Sequence, residues 1–168
     1  MSKRTSRNLV VLLVIGMTIL TGASPVLATT IQIAAVAFVP RGSAPAGDVT
    51  LGLLANNGAP GTFYAPVTLK AKVCELSLWA RDNDGDGNVI ARLMRKERVN
   101  GPGTGFGPAP EVMAEVSTTG ASADLQKITD TTISNPAISA GFLYWVEIDF
   151  GTGFLEALSV QIITKSLC

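Results

Sequence analysis

Residues 73 to 96 read VCELSLWARDNDGDGNVIARLMRK. Two alternating runs flank a polar centre. In VCELSLWA (73 to 80), Cys74, Leu76, Leu78 and Ala80 fall on one face. In NVIARLMRK (88 to 96), Val89, Ala91 and Leu93 fall on one side and Arg92 on the other. Alternation with period two is the signature of a strand with one buried face. Between the runs, Asp82, Asp84, Asp86 and Asn88 occupy every second position, with Gly87 among them. Asp, Asn and Gly tolerate positive φ and bond their own backbone, so this centre reads as the turn of a β-hairpin.

The same pattern extends in both directions, and no stretch after the first 28 residues sustains an apolar period near 3.6. IQIAAVAFV (31 to 39) reads as a strand, RGSAPAGD (41 to 48) and LANNGAPG (54 to 61) as loops. FYAPVTL (63 to 69) is extended, with Pro66 marking an edge or a bend. GPGTGFGPAP (101 to 110) is a Gly/Pro loop, VMAEVST (112 to 118) a strand, and LQKITDTTI (125 to 133) contains another, ended by Asn135-Pro136. FLYWVEIDF (142 to 150) puts Tyr144, Val146, Ile148 and Phe150 on one face, with Trp145, Glu147 and Asp149 opposite. LEALSVQIIT (155 to 164) points Leu158, Val160 and Ile162 inward. About eight short strands separated by turn chemistry predict an all-β fold, an antiparallel β-sandwich or jelly roll. No internal repeat and no long linker divides the chain.

YAPVTL, LSLWARDNDGDGNVIARLMRKE, TTISNPAI and YWVEIDF, taken in succession, resemble a group of small exported bacterial β-sandwich proteins. The resemblance spans about residues 60 to 164. It implies fold and export, not an activity.

The amino terminus reads as a secretory signal peptide. Lys3, Arg4 and Arg7 precede the apolar run LVVLLVIGMTIL (9 to 20), and Val26-Leu27-Ala28 offers small residues for cleavage. Twelve apolar residues fall short of the roughly 20 that a spanning helix needs. Cleavage after Ala28 leaves one expected domain, residues 29 to 168, with no membrane span. The chain carries 13 basic and 13 acidic residues. Losing the three basic residues of the leader leaves 10 against 13. A mildly acidic domain without a basic cluster is a poor partner for nucleic acid or anionic lipid. The expected location is periplasmic or extracellular.

Cys74 and Cys168 are the two cysteines. In an exported protein the simplest expectation is a disulfide between them, the alternative being a bond to another chain. On the chain-entropy model the internal bridge contributes roughly 4 to 5 kcal/mol, less any strain.

The Asp-rich centre also has a chemical reading. Calcium takes six to eight oxygen ligands, and Asp-x-Asp-x-Asp-Gly supplies them from alternate positions. Asp82, Asp84 and Asp86 match ligand positions 1, 3 and 5, Gly87 the sharp turn, and Asn88 position 7. Ile90 and Leu93 then stand where further ligands belong, and strands replace the flanking helices. Glu97 or a carboxylate from another loop would have to complete the site. A calcium ion and a plain hairpin turn are both left open.

Catalytic chemistry is poorly served. The chain has no histidine, which removes Ser-His-Asp and Cys-His arrangements and the usual zinc sites. A glycosidase needs two facing carboxylates; Glu75, Glu111, Glu115, Glu147 and Asp149 are present without a spacing that pairs any two. GPGTGFG (101 to 107) is followed by Pro108 and Pro110 rather than a helix, so it lacks the helix N-terminus that holds phosphate. Trp79 and Trp145 fall on the faces opposite their strands' apolar rows, where an indole stacks on a sugar ring or a partner, or is covered by a loop. The leading expectation is a non-enzymatic exported β-sandwich acting as a structural or interaction module of the envelope or extracellular space. The alternative is a carbohydrate-binding module using the outward tryptophans, with or without a structural calcium.

Overall fold

A computed structural model describes residues 28–42, 48–50, 52–56, 58–85, 87–98 and 108–168. The expected leader up to residue 27, the stretch 101–107 read as a Gly/Pro loop, and Asp86 lie outside the described residues. Two antiparallel sheets face each other. Eight strands have six or more residues: β1 (Thr29–Ala34), β5 (Gly61–Val67), β6 (Lys72–Asp82), β7 (Val89–Glu97), β8 (Glu111–Ser117), β9 (Ser122–Asp130), β10 (Phe142–Phe150) and β11 (Leu155–Lys165). Three shorter ones complete the set: β2 (Val39–Pro40), β3 (Asp48–Thr50) and β4 (Leu53–Ala55). Sheet A runs β3-β4-β11-β6-β9, with β1 also on β11, and sheet B runs β2-β5-β10-β7-β8. The expected all-β antiparallel sandwich is the observed one.

Alternation places the core. Leu76, Leu78 and Ala80 of β6 share one buried cluster with Ala91, Leu93, Val146 and Ile148 of sheet B, all with no solvent exposure. Phe63 and Phe150 pack edge to face with ring centres 5.7 Å apart. Each such large apolar side chain stabilises the fold by roughly 1.5–3 kcal/mol on burial.

Three local expectations are corrected. IQIAAVAFV is not one strand: β1 ends at Ala34, a 3-10 turn covers Ala35–Ala37, and β2 starts at Val39 in the other sheet. Small residues allow the tight turn, and buried Ala35 and Phe38 anchor it. Leu158 does not point inward with Val160 and Ile162. The β11–β6 register shifts between Ala157 and Ser159, so Leu155 and Ala157 face the core before the irregularity and Val160 and Ile162 after it. One extra residue flips the phase of the alternation.

The third correction concerns the Asp-rich centre. β6 pairs with β11 and β9, whereas β7 pairs with β10 and β8. The stretch 83–88 is therefore a corner between the two sheets and not a hairpin turn. Three more sheet-crossing segments, 56–60, 118–121 and 151–154, lie at the same end, since Asp82 is in register with Leu155 and Ser122, and Phe150 with Val89 and Gly61.

The expected bridge between Cys74 and Cys168 is present, with Cα atoms 5.4 Å apart. It ties the carboxyl terminus to β6. Among the described residues, no helix is long and apolar enough to cross a membrane.

Candidate functional site

Two regions carry polar chemistry, and the sequence had singled out residues in both. The first is the corner end. Asp82 is fully buried at the end of β6. Its Oδ2 accepts from the Thr118 hydroxyl at 2.6 Å, and its Oδ1 accepts from the Asp84 backbone N–H at 3.1 Å. Asn88 is exposed, and its amide is oriented to donate to the carbonyls of Thr118 and Gly87. The Asp84 side chain packs on Gly153, and Gly87 packs on the Thr152 carbonyl. Neither Gly85 nor Gly87 has a positive φ. Gly87 is thus required by close approach, not by a left-handed turn.

Nearby, Asn56 is 4% exposed and joins two corners at once. Its amide donates to the Gly151 carbonyl at 2.9 Å, and its Oδ1 accepts from the N–H groups of Leu155 (3.0 Å) and Gly58 (3.3 Å). Sequence reading missed Asn56 and Thr118. Asn56 sits in a stretch read as a loop and Thr118 at the end of one read as a strand, and nothing local marks a buried hydrogen-bonding role. Asp82 satisfies neighbouring donors inside the protein, and among the described residues no three Asp, Glu, Cys or His side chains converge as a metal site. Glu97 is at the far end of β7, about 26 Å from the corner at the rise of a strand, so it does not complete one.

The second region is the outer face of sheet B. Register puts Pro66 of β5 and Met94 of β7 beside Trp145 of β10, and Tyr64 beside Glu147. A groove of about 510 Å³ is lined there by Arg41, Tyr64, Pro66, Leu143, Trp145 and Glu147 among others. Tyr64 and Leu143 are exposed, at 39% and 49%. The Trp145 indole N–H donates to Glu147 Oε1 at 2.9 Å, which fixes the ring, and Arg41 reaches the same oxygen at 3.2 Å. A second hollow, lined by Leu69, Arg98, Ile138, Ser139 and Phe142 among others, continues from it, since Pro66, Leu143 and Tyr144 line both.

Trp79 lies elsewhere. It is on β6 in sheet A, with the Lys127 ammonium 4.9 Å from its ring centre. The two tryptophans therefore occupy opposite outer faces of the sandwich, and no single ligand spans them. This covers part of the Trp79 ring with a cation.

The carboxylates considered for hydrolysis are engaged in ion pairs. Arg92 is held between Glu115 and Asp149, Arg95 by Glu111, Arg41 by Glu147, and Glu75 lies 4.0 Å from Lys127. Partial burial alone would lower the Arg92 guanidinium, but Glu115 and Asp149 outweigh it and raise it above its ordinary value. These pairs brace neighbouring strands, an arrangement unlike a free acid facing a free base across a cleft.

No family model matches the sequence, and no curated protein does. Solved structures do. The CBM36-1 domain of a multidomain xylanase from the hindgut metagenome of Trinervitermes trinervoides is similar at a TM-score of 0.51 and 11% identity, over 80% of this chain and 96% of that one. A family two carbohydrate esterase from Cellvibrio japonicus is similar at 0.44 and 15%, over 83% of this chain but only 34% of that one. TmCBM61, solved with β-1,4-galactotriose, is similar at 0.41 and 13%, over 81% and 88%. The chain spans about a third of the length of the esterase. At such identities the likeness is one of fold.

Proposed function

We propose that this chain is an exported β-sandwich module that binds a polysaccharide across the outer face of sheet B, without catalysing its breakdown. The carrying observation is the platform of Tyr64, Pro66, Leu143 and Trp145, with the indole oriented by Glu147 and Glu147 held by Arg41. Flat apolar surface stacks on the C–H faces of sugar rings, while fixed polar groups at its margin accept and donate to hydroxyls. Export is supported by the signal-like leader and by the disulfide. The sandwich likeness to a carbohydrate-binding domain agrees with the reading but is a likeness of fold.

Retention of the purified protein on gels carrying a panel of insoluble and soluble polysaccharides tests it. At least one polymer should retard the protein, and Trp145→Ala should weaken retention by about tenfold or more, as loss of a central aromatic anchor does. Trp79→Ala should leave it unchanged. If no polymer retards the protein, the glycan reading fails.

A further inference from the structure

We infer that the groove on sheet B selects an acidic polysaccharide, one carrying uronate carboxylates, over a neutral one. This rests on the glycan reading above and adds the charge class of the ligand.

The inference comes from the balance of charge along the groove. Its two continuous hollows are lined by Arg41 at one end and Arg98 at the other, with Glu147 as their acidic lining residue. Register adds Lys96, whose partner on β10 is Leu143 on this face. Glu147 is already matched by Arg41 and by the Trp145 indole. Lys96 and Arg98 have no carboxylate within ion-pair distance among the described residues. The neighbouring segment 99–107, outside the described residues, contains no Asp or Glu in its sequence. Elsewhere on the face Arg92 lies between Glu115 and Asp149, one cation against two carboxylates, so the spare positive charge is confined to the Lys96 and Arg98 end. Lys96 and Arg98 thus leave uncancelled positive charge at one end of the groove, although residues 29 to 168 as a whole carry 10 basic against 13 acidic residues.

The geometry fits an extended chain. The Arg98 backbone N–H donates to the Gly141 carbonyl at 2.7 Å, which sets this residue beside the start of β10. Arg41 is tied to Glu147 near the other end of the groove. Leu143 and Glu147 are four residues apart on one strand, about 13 Å, and Trp145 lies between them. An extended oligosaccharide therefore meets Lys96 and Arg98 at one end, then the apolar platform, and then the Arg41–Glu147 pair. A guanidinium forks onto a carboxylate with two parallel hydrogen bonds, which hydroxyls of a neutral sugar match poorly.

The experiment compares polygalacturonate with the same polymer after reduction of its carboxyls, by affinity electrophoresis and calorimetry. The acidic polymer should bind more tightly. Its advantage should shrink as salt rises from about 0.01 M to about 1 M, which shortens the screening length from about 30 Å to about 3 Å. Lys96→Ala and Arg98→Ala should each weaken binding to the acidic polymer by up to about fivefold, the range of a single exposed ion pair. Lys165→Ala, on β11 of the other sheet, should not. Each variant's thermal melt should match the parent, so that lost binding is not lost folding. Equal binding of both polymers, or acidic binding indifferent to Lys96→Ala and Arg98→Ala, overturns the inference and leaves the glycan reading standing. If neither these nor any other polysaccharide binds, both fall.

Discussion

Thr118 and Asp82 close the corner end of the sandwich: the Thr118 hydroxyl donates to the Asp82 carboxylate at 2.6 Å and accepts the Val89 N–H at 3.0 Å. Asp82 ends a strand of sheet A, while Val89 begins one of sheet B and Thr118 follows another. A fully buried carboxylate is thereby satisfied, and the two sheets are linked by one side chain. Replacing Thr118 with Val keeps the volume and removes the hydroxyl, leaving the carboxylate and the Val89 N–H without that partner. The expected cost is about 2–3 kcal/mol, the penalty for an unmatched buried charged group. Urea unfolding measures it, and a loss below about 0.5 kcal/mol would remove Thr118 from the account.

The two glycines of the corner should behave differently. A Cβ on Gly87 would run into the Thr152 carbonyl, a backbone group that cannot rotate away, and would lie 3.2 Å from Leu155 Cδ1. Around Gly85 a Cβ meets nothing. Gly87→Ala should cost about 1–3 kcal/mol, as overpacking does, and Gly85→Ala should stay within about 0.5 kcal/mol of the parent. Equal effects in parallel melts would show that both glycines serve only a turn.

Calcium should leave the thermal melt where it is. Both Asp82 oxygens accept hydrogen bonds from the protein itself, out of solvent. A melt in EGTA is compared with one in millimolar calcium. A bound ion at 100 times its dissociation constant would add roughly 2.7 kcal/mol, several degrees for a chain of this size. A shift abolished by Asp84→Asn would place the ion at this corner and reverse the expectation.

Reduction of the bridge should destabilise the fold without separating two chains. The intact protein should gain two hydrogens in mass with reductant, and its unfolding free energy should fall by about 2–5 kcal/mol. Cys74 and Cys168 are joined within the chain, so a dimer band that disappears on reduction would contradict the pairing.

Much of this protein was legible in its residues because strand alternation is a local property. The rows Leu76–Leu78–Ala80, Val89–Ala91–Leu93 and Tyr144–Val146–Ile148–Phe150 all face the core as their period demands, and an even pair of cysteines already pointed to their bond. Period two assigns a side chain to a face, but it does not say which strand lies alongside. Only the tertiary structure separated β6 from β7 into different sheets and turned DNDGDG from a hairpin turn into a corner. The same limit hid the β11 irregularity at Leu158, the positions of Trp79 and Trp145 on opposite faces, and the buried roles of Asn56 and Thr118. Each depends on partners distant in sequence, for example 36 residues for Thr118 and Asp82 and 99 for Leu155 and Asn56. Hydrogen bonds and grooves form between such partners only once the sheets have packed, so no local pattern records them.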